Sequence, residues 1–180
     1  MKLLIEELRM GTITFALLEG LVWSALWIAM LLLMFFNFPW LLVHDYPADA
    51  RKAAKLPKPT ALQRRNGRLF TAICYVVLLG TLMGAGLVQY RFNPTAFGYI
   101  FLHLWLICMM WNVVDLLIFD WLIFCTITPK SFILPGTEGC KGYKDYKFHV
   151  IGFLKGLVYM TLMALIFGGL DFIILKFLIW

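Results

Sequence analysis

The sequence predicts an all-α fold, an integral membrane bundle of four transmembrane helices. Of the 180 residues, 62% are apolar and only 14% are charged, with a mean hydropathy of +0.84; soluble domains carry roughly 25% charge. The apolar residues gather into four runs, each at least as long as the about 20 residues that cross about 30 Å of hydrocarbon. Stretches such as Leu31-Leu32-Leu33-Met34-Phe35-Phe36 do not alternate, which excludes the transmembrane β-barrel, whose strands of about 10 residues alternate apolar and polar positions. The same composition excludes an ordinary soluble domain and a disordered chain.

The first span covers residues 12–43 and is interrupted by Glu19, Asn37 and Pro39. Pro39 lacks a backbone donor and clashes with the preceding turn, so a kink is expected there, with Trp40 to His44 lying along the membrane interface. The segment before this span lacks a cationic leader, and the run is too long for a signal-peptide core, so the span is expected to stay in the chain. The second span, 69–90, ends at Arg91 and the Asn93-Pro94 turn signal. The third, 96–127, contains His103, Asn112, Asp115 and Asp120 and stops before Pro129; the fourth, 150–180, contains Lys155 and Asp171. Spans one, three and four each extend over about 47 Å at helical rise, so they must tilt, kink or project beyond the hydrocarbon. The chain reads as a single transmembrane domain with connections at 44–68 and 128–149.

Those two connections hold most of the positive charge: Arg51, Lys52, Lys55, Lys58, Arg64, Arg65 and Arg68 in one, and Lys130, Lys141, Lys144 and Lys147 in the other. The opposite side has Lys2, Arg9, Arg91 and Lys176. An excess of Lys and Arg marks cytoplasmic loops, which places 44–68 and 128–149 in the cytoplasm and both termini outside, in a plasma (inner) membrane. Membrane lipids are the expected partners, with anionic headgroups at the basic loops. Nucleic acid is not expected, because the basic cluster has no aromatic interleaving.

Small residues four apart, Gly80 and Gly84 in span two and Gly152 and Gly156 in span four, mark faces of close helix approach. They serve packing within one bundle or a homodimer. Trp40, Tyr90, Tyr99, Trp121 and Trp180 fall near the interfaces and read as anchors. Cys74, Cys108, Cys125 and Cys140 form no Cys-x-x-Cys pair and read as free thiols.

Ionisable groups inside a span are costly and are functional candidates by default. Depth sorts them into two levels. Glu19, His103 and Asp171 lie towards the termini and form a candidate proton or cation relay. Beside them Gly80, Thr81 and Gly84 leave room for water or for the Glu19 side chain. Towards the basic loops lie Asp115, Asp120, His44 and His149, candidate catalytic residues, with Asp45, Asp120, His44 and His149 the candidate ligands should a metal bind. On a regular α-helix Asp115 and Asp120 are about 140° apart round the axis, so each is expected to find its partner on another element, among His44, His149, Lys130 and Lys155.

The glycine-rich segment 134–143 lacks the Gly-Lys-Ser/Thr ending of a phosphate loop and reads as a turn-rich connection. A bis-His haem site needs two histidines at matching depth, and only His103 lies well inside a span. The sequence identifies no cofactor. Three function classes are compatible with it: a membrane-embedded enzyme acting on a lipid or amphipathic substrate at the rim of the bundle, a small proton- or cation-coupled transporter, and a scaffold or accessory subunit.

Overall fold

The computed structural model describes the backbone from residue 2 and the side chains from residue 12, through Trp180. Lys2 and Arg9, part of the charge asymmetry, have side chains outside the described residues. The chain is all-α, with no strand among the described residues, and four of its helices are long and apolar enough to cross a membrane. These are α1 (Lys2–Asn37), α3 (Ala61–Tyr90), α4 (Phe97–Val114, continuing as a π-helix over Asp115–Ile127) and α5 (Tyr146–Ile174, continuing as a π-helical turn over Leu175–Ile179). A short α2 (Ala48–Ala53) lies between the first two.

Helix boundaries follow local chemistry rather than hydropathy. Pro39 ends α1 instead of kinking it: a residue before proline is pushed out of the helical region, and Phe38 has φ −138°. The chain then turns through two short 3₁₀ segments, Pro39–Leu41 and Val43–Asp45. α3 starts at Ala61, eight positions before the apolar run, because Thr60 and Gln63 form a reciprocal capping box. Its two bonds are Gln63 N to Thr60 Oγ1 at 3.2 Å and Thr60 N to Gln63 Oε1 at 2.8 Å. α5 starts at Tyr146 because the Asp145 carboxylate accepts the Phe148 N–H at 3.0 Å.

α4 is the hub, packed against α1, α3 and α5. Its side chains Leu104, Ile107, Cys108 and Trp111 meet Trp23 of α1, Leu78 and Leu82 of α3 and Ala164 of α5 in the main core. Because apolar side chains gain little by leaving lipid for one another, close backbone approach has to supply the packing. Gly20 of α1 lies against Met110, Gly156 of α5 against Asn112, Gly168 of α5 against the Phe101 backbone, and Gly86 of α3 against Asp171. Gly80, Gly84 and Gly152 have nothing within 4 Å of the position a Cβ would occupy, so these three glycines do not pack within the bundle.

A Cβ at Gly86 would collide with the Asp171 carboxylate, and one at Gly156 with the Asn112 amide. Gly86→Ala and Gly156→Ala should therefore each destabilise the bundle by about 1–3 kcal/mol. Gly84→Ala, with open space around it, should leave thermal unfolding in detergent unchanged or raise its midpoint, since alanine is the better helix former.

Candidate functional site

Segments 38–60 and 128–145 lie together at one end of the bundle, and they are ordered rather than loose. Asp49 receives the Gly142 N–H at 2.8 Å and its own neighbour's, Ala50 N–H, at 2.8 Å. The Lys55 N–H donates to Pro135 O at 2.8 Å, and Tyr46 Oη donates to Phe132 O at 3.0 Å. Tyr143 Oη accepts the Leu134 N–H at 3.0 Å and shares a 2.6 Å bond with Thr137 Oγ1. Around these bonds Phe35, Tyr46, Phe124, Phe132, Leu134 and Tyr143 form a second apolar core. Burial, with Tyr143 and Asp45 adding to it, holds the Tyr46 phenol protonated well above its usual range. Gly142 is required here, since a Cβ would run into Asp49 and Pro47. The result is a folded cap on the basic end.

Beneath this cap the third span changes its hydrogen bonding. From Asp115 to Ile127 it is a π-helix, whose bonds join residues five apart. Thr126 Oγ1 donates to Trp121 O at 2.7 Å, and the Thr128 N–H to Ile123 O at 2.8 Å. Thr128 then takes a left-handed conformation, φ +48°, and Pro129 stops the helix. Lys144 reaches back to the last turn, donating to Thr126 O at 3.0 Å, to Thr128 Oγ1 at 2.8 Å and to Cys125 O. A cation on the free carbonyls opposes the negative end of the helix dipole.

The π geometry corrects the angular expectation for Asp115 and Asp120. The wider turn of i→i+5 bonding rotates each residue by less than the α-helical step, which brings positions five apart closer in angle, and both carboxylates line the same cavity of about 400 Å³. The cavity lies between α1, the π segment and the start of α5, and His44, Asp45 and His149 share its wall. All four candidate catalytic residues, together with Asp45, are thus brought to one place. Lys130 and Lys155 do not line it.

Within the cavity His149 is buried, and its Nδ1 lies 2.9 Å from Asp120 Oδ1. Its Nε2 has no hydrogen-bond partner among the described residues. His44 Nε2 lies 3.2 Å from Asp45 Oδ1 at the open mouth. Although Asp45 keeps part of its surface open, the protein packed around it lifts its carboxyl above the usual range; His44 offsets this and Asp120 adds to it. The remaining wall combines aromatic rings with Leu31, Leu42, Leu116, Met160 and the Asn112 amide. Trp27 and Trp111 stack with ring centroids 5.1 Å apart, and Phe35 stacks on Phe132 at 4.5 Å. Neither tryptophan carried a signal in the sequence beyond its apolar run. No three His, Cys, Asp or Glu side chains among the described residues converge closely enough to hold a metal ion.

The second polar level is separate. His103 Nε2 lies 2.5 Å from Glu19 Oε2, and the imidazole packs edge-on to Tyr90. Glu19 lines a lipid-side groove between α1 and α3 that includes Thr81 and Gly84. Asp171 is fully buried, and neither of its carboxylate oxygens has a hydrogen-bond partner among the described residues. It does not join the Glu19–His103 pair.

No protein-family model, no curated protein and no solved structure matches this chain.

The Gly142 N–H, with the Ala50 N–H adding to it, holds the Asp49 carboxyl below its usual range. Such a tie contributes fully above the unfolded-chain pKa of about 3.9 and disappears as pH falls through the lower folded value. At neutral pH, Asp49→Ala should therefore loosen the cap, and trypsin should cut after the exposed Lys141 several-fold faster than in the parent chain. An unchanged cleavage rate would show that the Asp49–Gly142 bond does not hold the cap closed.

Proposed function

We propose that this chain is a membrane-embedded enzyme that performs proton-transfer chemistry on an amphipathic substrate in the cavity at the basic end of the bundle. The observation that carries this reading is the His149–Asp120 pair. A carboxylate on Nδ1 fixes the imidazole tautomer and orientation and leaves Nε2 as the proton acceptor, the arrangement general bases use. Here Nε2 is the cavity-lining histidine's unpartnered nitrogen. A volume of about 400 Å³ lies in the range of small-molecule sites, about 300–1,000 Å³.

The wall also restricts the reaction. Among the described residues lining the cavity there is no Ser, Thr, Cys, Lys or Arg, so a serine or cysteine nucleophile and a cationic oxyanion clamp are both missing from it. Asp45, Asp115 and Asp120, with aromatic faces beside them, favour transition states that gain positive charge over those that gain negative charge. In the step assigned to His149, Nε2 takes a proton from the bound substrate or a water and returns it to the product. Asp120 keeps the ring oriented.

A transporter reading draws on Glu19, His103 and Asp171, but a polar route would have to continue from them to Asp115. His103 and Asp115 are about 18 Å apart along α4 at helical rise, and Leu104, Ile107, Cys108 and Trp111 fill that interval as core. In orientation, the proposal sets the basic end in the cytoplasm, since Lys and Arg concentrate there; anionic headgroups of that leaflet would then surround the cap. A tag fused after Trp180 should accordingly react with antibody added outside intact cells, and reaction only after permeabilisation would reverse the orientation.

Purified protein incubated with a total lipid extract should consume at least one amphipathic species and release its product, followed by mass spectrometry. His149→Gln should abolish this change, and Asp120→Asn should slow it by about 10²–10⁴-fold, as loss of a general base or its orienting carboxylate does elsewhere. Identical lipid profiles for the parent chain and His149→Gln would remove the enzyme reading.

A further inference from the structure

We propose that the cavity beside His149 recognises a positively charged headgroup, the alkylammonium or quaternary ammonium of an amphiphile. The enzyme reading enters only in calling this amphiphile the substrate, because the binding is measurable without turnover.

Charge supplies the first argument. Asp45, Asp115 and Asp120 line the cavity, and no Lys or Arg among the described residues lines it. The two imidazoles offset this only when protonated. A phosphate, sulfate or carboxylate headgroup would therefore find no Lys or Arg on this wall to pair with, while an ammonium would find carboxyl groups that its own charge helps to ionise.

Shape and surface supply the second. The stacked Trp27 and Trp111 and the neighbouring Phe119, Phe124 and Phe148 line the same space. Carboxylates together with aromatic faces are the chemistry that binds ammonium groups, since the ring quadrupole attracts a cation that sheds its water easily. A divalent metal demands several converging oxygen ligands, and no trio of His, Cys, Asp or Glu converges here among the described residues.

A third observation concerns the second ring nitrogen of His149. His149 lines the cavity and is 94% buried, with 6% exposure; its Nε2, closed to solvent, has no partner among the described residues. A buried polar nitrogen left without a partner is rare in folded proteins. Ligand entry that opens this nitrogen to the cavity would let an N–H or a hydroxyl next to the ammonium complete it.

The test uses the full chain in dodecyl maltoside, titrated with hexyltrimethylammonium, hexanol or hexanesulfonate and read by tryptophan fluorescence. The ammonium probe should bind about tenfold or more tighter than hexanol, and the sulfonate more weakly than either. Asp115→Asn and Asp45→Asn should each erase most of the preference for ammonium while leaving hexanol unchanged. Asp45 is exposed at the mouth, so that variant does not challenge folding. Equal binding of ammonium and hexanol, a preference for sulfonate, or displacement of the ammonium by micromolar Mg²⁺ or Mn²⁺ would each overturn the assignment. Ammonium selectivity without any His149-dependent turnover would leave it standing and remove the enzyme reading. His149-dependent turnover without that selectivity would do the reverse.

Discussion

The change from i→i+4 to i→i+5 hydrogen bonding at Asp115 determines what the basic end of this bundle becomes. In lipid every backbone group must be satisfied inside the segment, so a span cannot redirect its side chains by unravelling. It can do so by changing which carbonyl each N–H meets. The π segment keeps the backbone bonded, and it turns Asp115 and Asp120 towards the same space between α1 and α5. Its wider geometry is held at the far end by Lys144, which takes up the carbonyls that the left-handed Thr128 and Pro129 leave without a continuing helix. π segments recur at functional sites for this reason: they aim side chains where a regular helix would not.

The cap completes the arrangement by joining two connections that are far apart in the chain. Asp49 and Gly142 are 93 positions apart and share one hydrogen bond, and Tyr46 bonds to a carbonyl 86 positions away. Ordering a connection costs conformational entropy, and the aromatic core of Phe35, Tyr46, Phe124, Phe132 and Tyr143 offsets it. His44 and Asp45 immediately precede Tyr46, and His149 follows Tyr143 by less than two helical turns. Rigid anchors next to each polar pair fix their separation, which a flexible connection would not do.

Fold and site differed in how far they were legible in the sequence. Four spans follow from composition, because the hydrocarbon thickness is a constraint that any spanning helix must meet. The ends of those helices did not follow from it: Thr60 and Gln63, and Asp145, extend α3 and α5 beyond their apolar runs through side-chain caps that hydropathy does not register. The gathering of His44, Asp45, Asp120 and His149 at one mouth was legible, since each borders a span at the same end. The relative angle of Asp115 and Asp120 was not, because a π-helix has no local residue signature and the α-helical period misplaces residues five apart. The glycines divide similarly. Spacing marks Gly80, Gly84 and Gly156 alike, yet only contact with a neighbouring helix distinguishes Gly156 against Asn112 from Gly80 and Gly84 on an open face.

The two polar levels show how burial and pairing divide the work of ionisable groups in one bundle. Glu19 and His103 pair across α1 and α4, so their cost in lipid is reduced by a mutual bond and they tie the two helices together, while His103 Nδ1 has no partner among the described residues. At the other end Asp120 and His149 also pair and likewise leave one imidazole nitrogen without a partner among the described residues, but here both residues line a cavity. A carboxylate–imidazole pair thus occurs at both levels, and at the basic end both of its members stand on the wall of one cavity. Asp171 is a third case, fully buried beside Gly86 with no bond to either oxygen. It has neither a partner nor a cavity beside it among those described, so its cost must be borne by the surrounding packing of α3 and α5. Ionisable character alone therefore does not mark a site in this protein; what distinguishes the basic end is a carboxylate–imidazole pair whose two members both line a space large enough to receive a ligand.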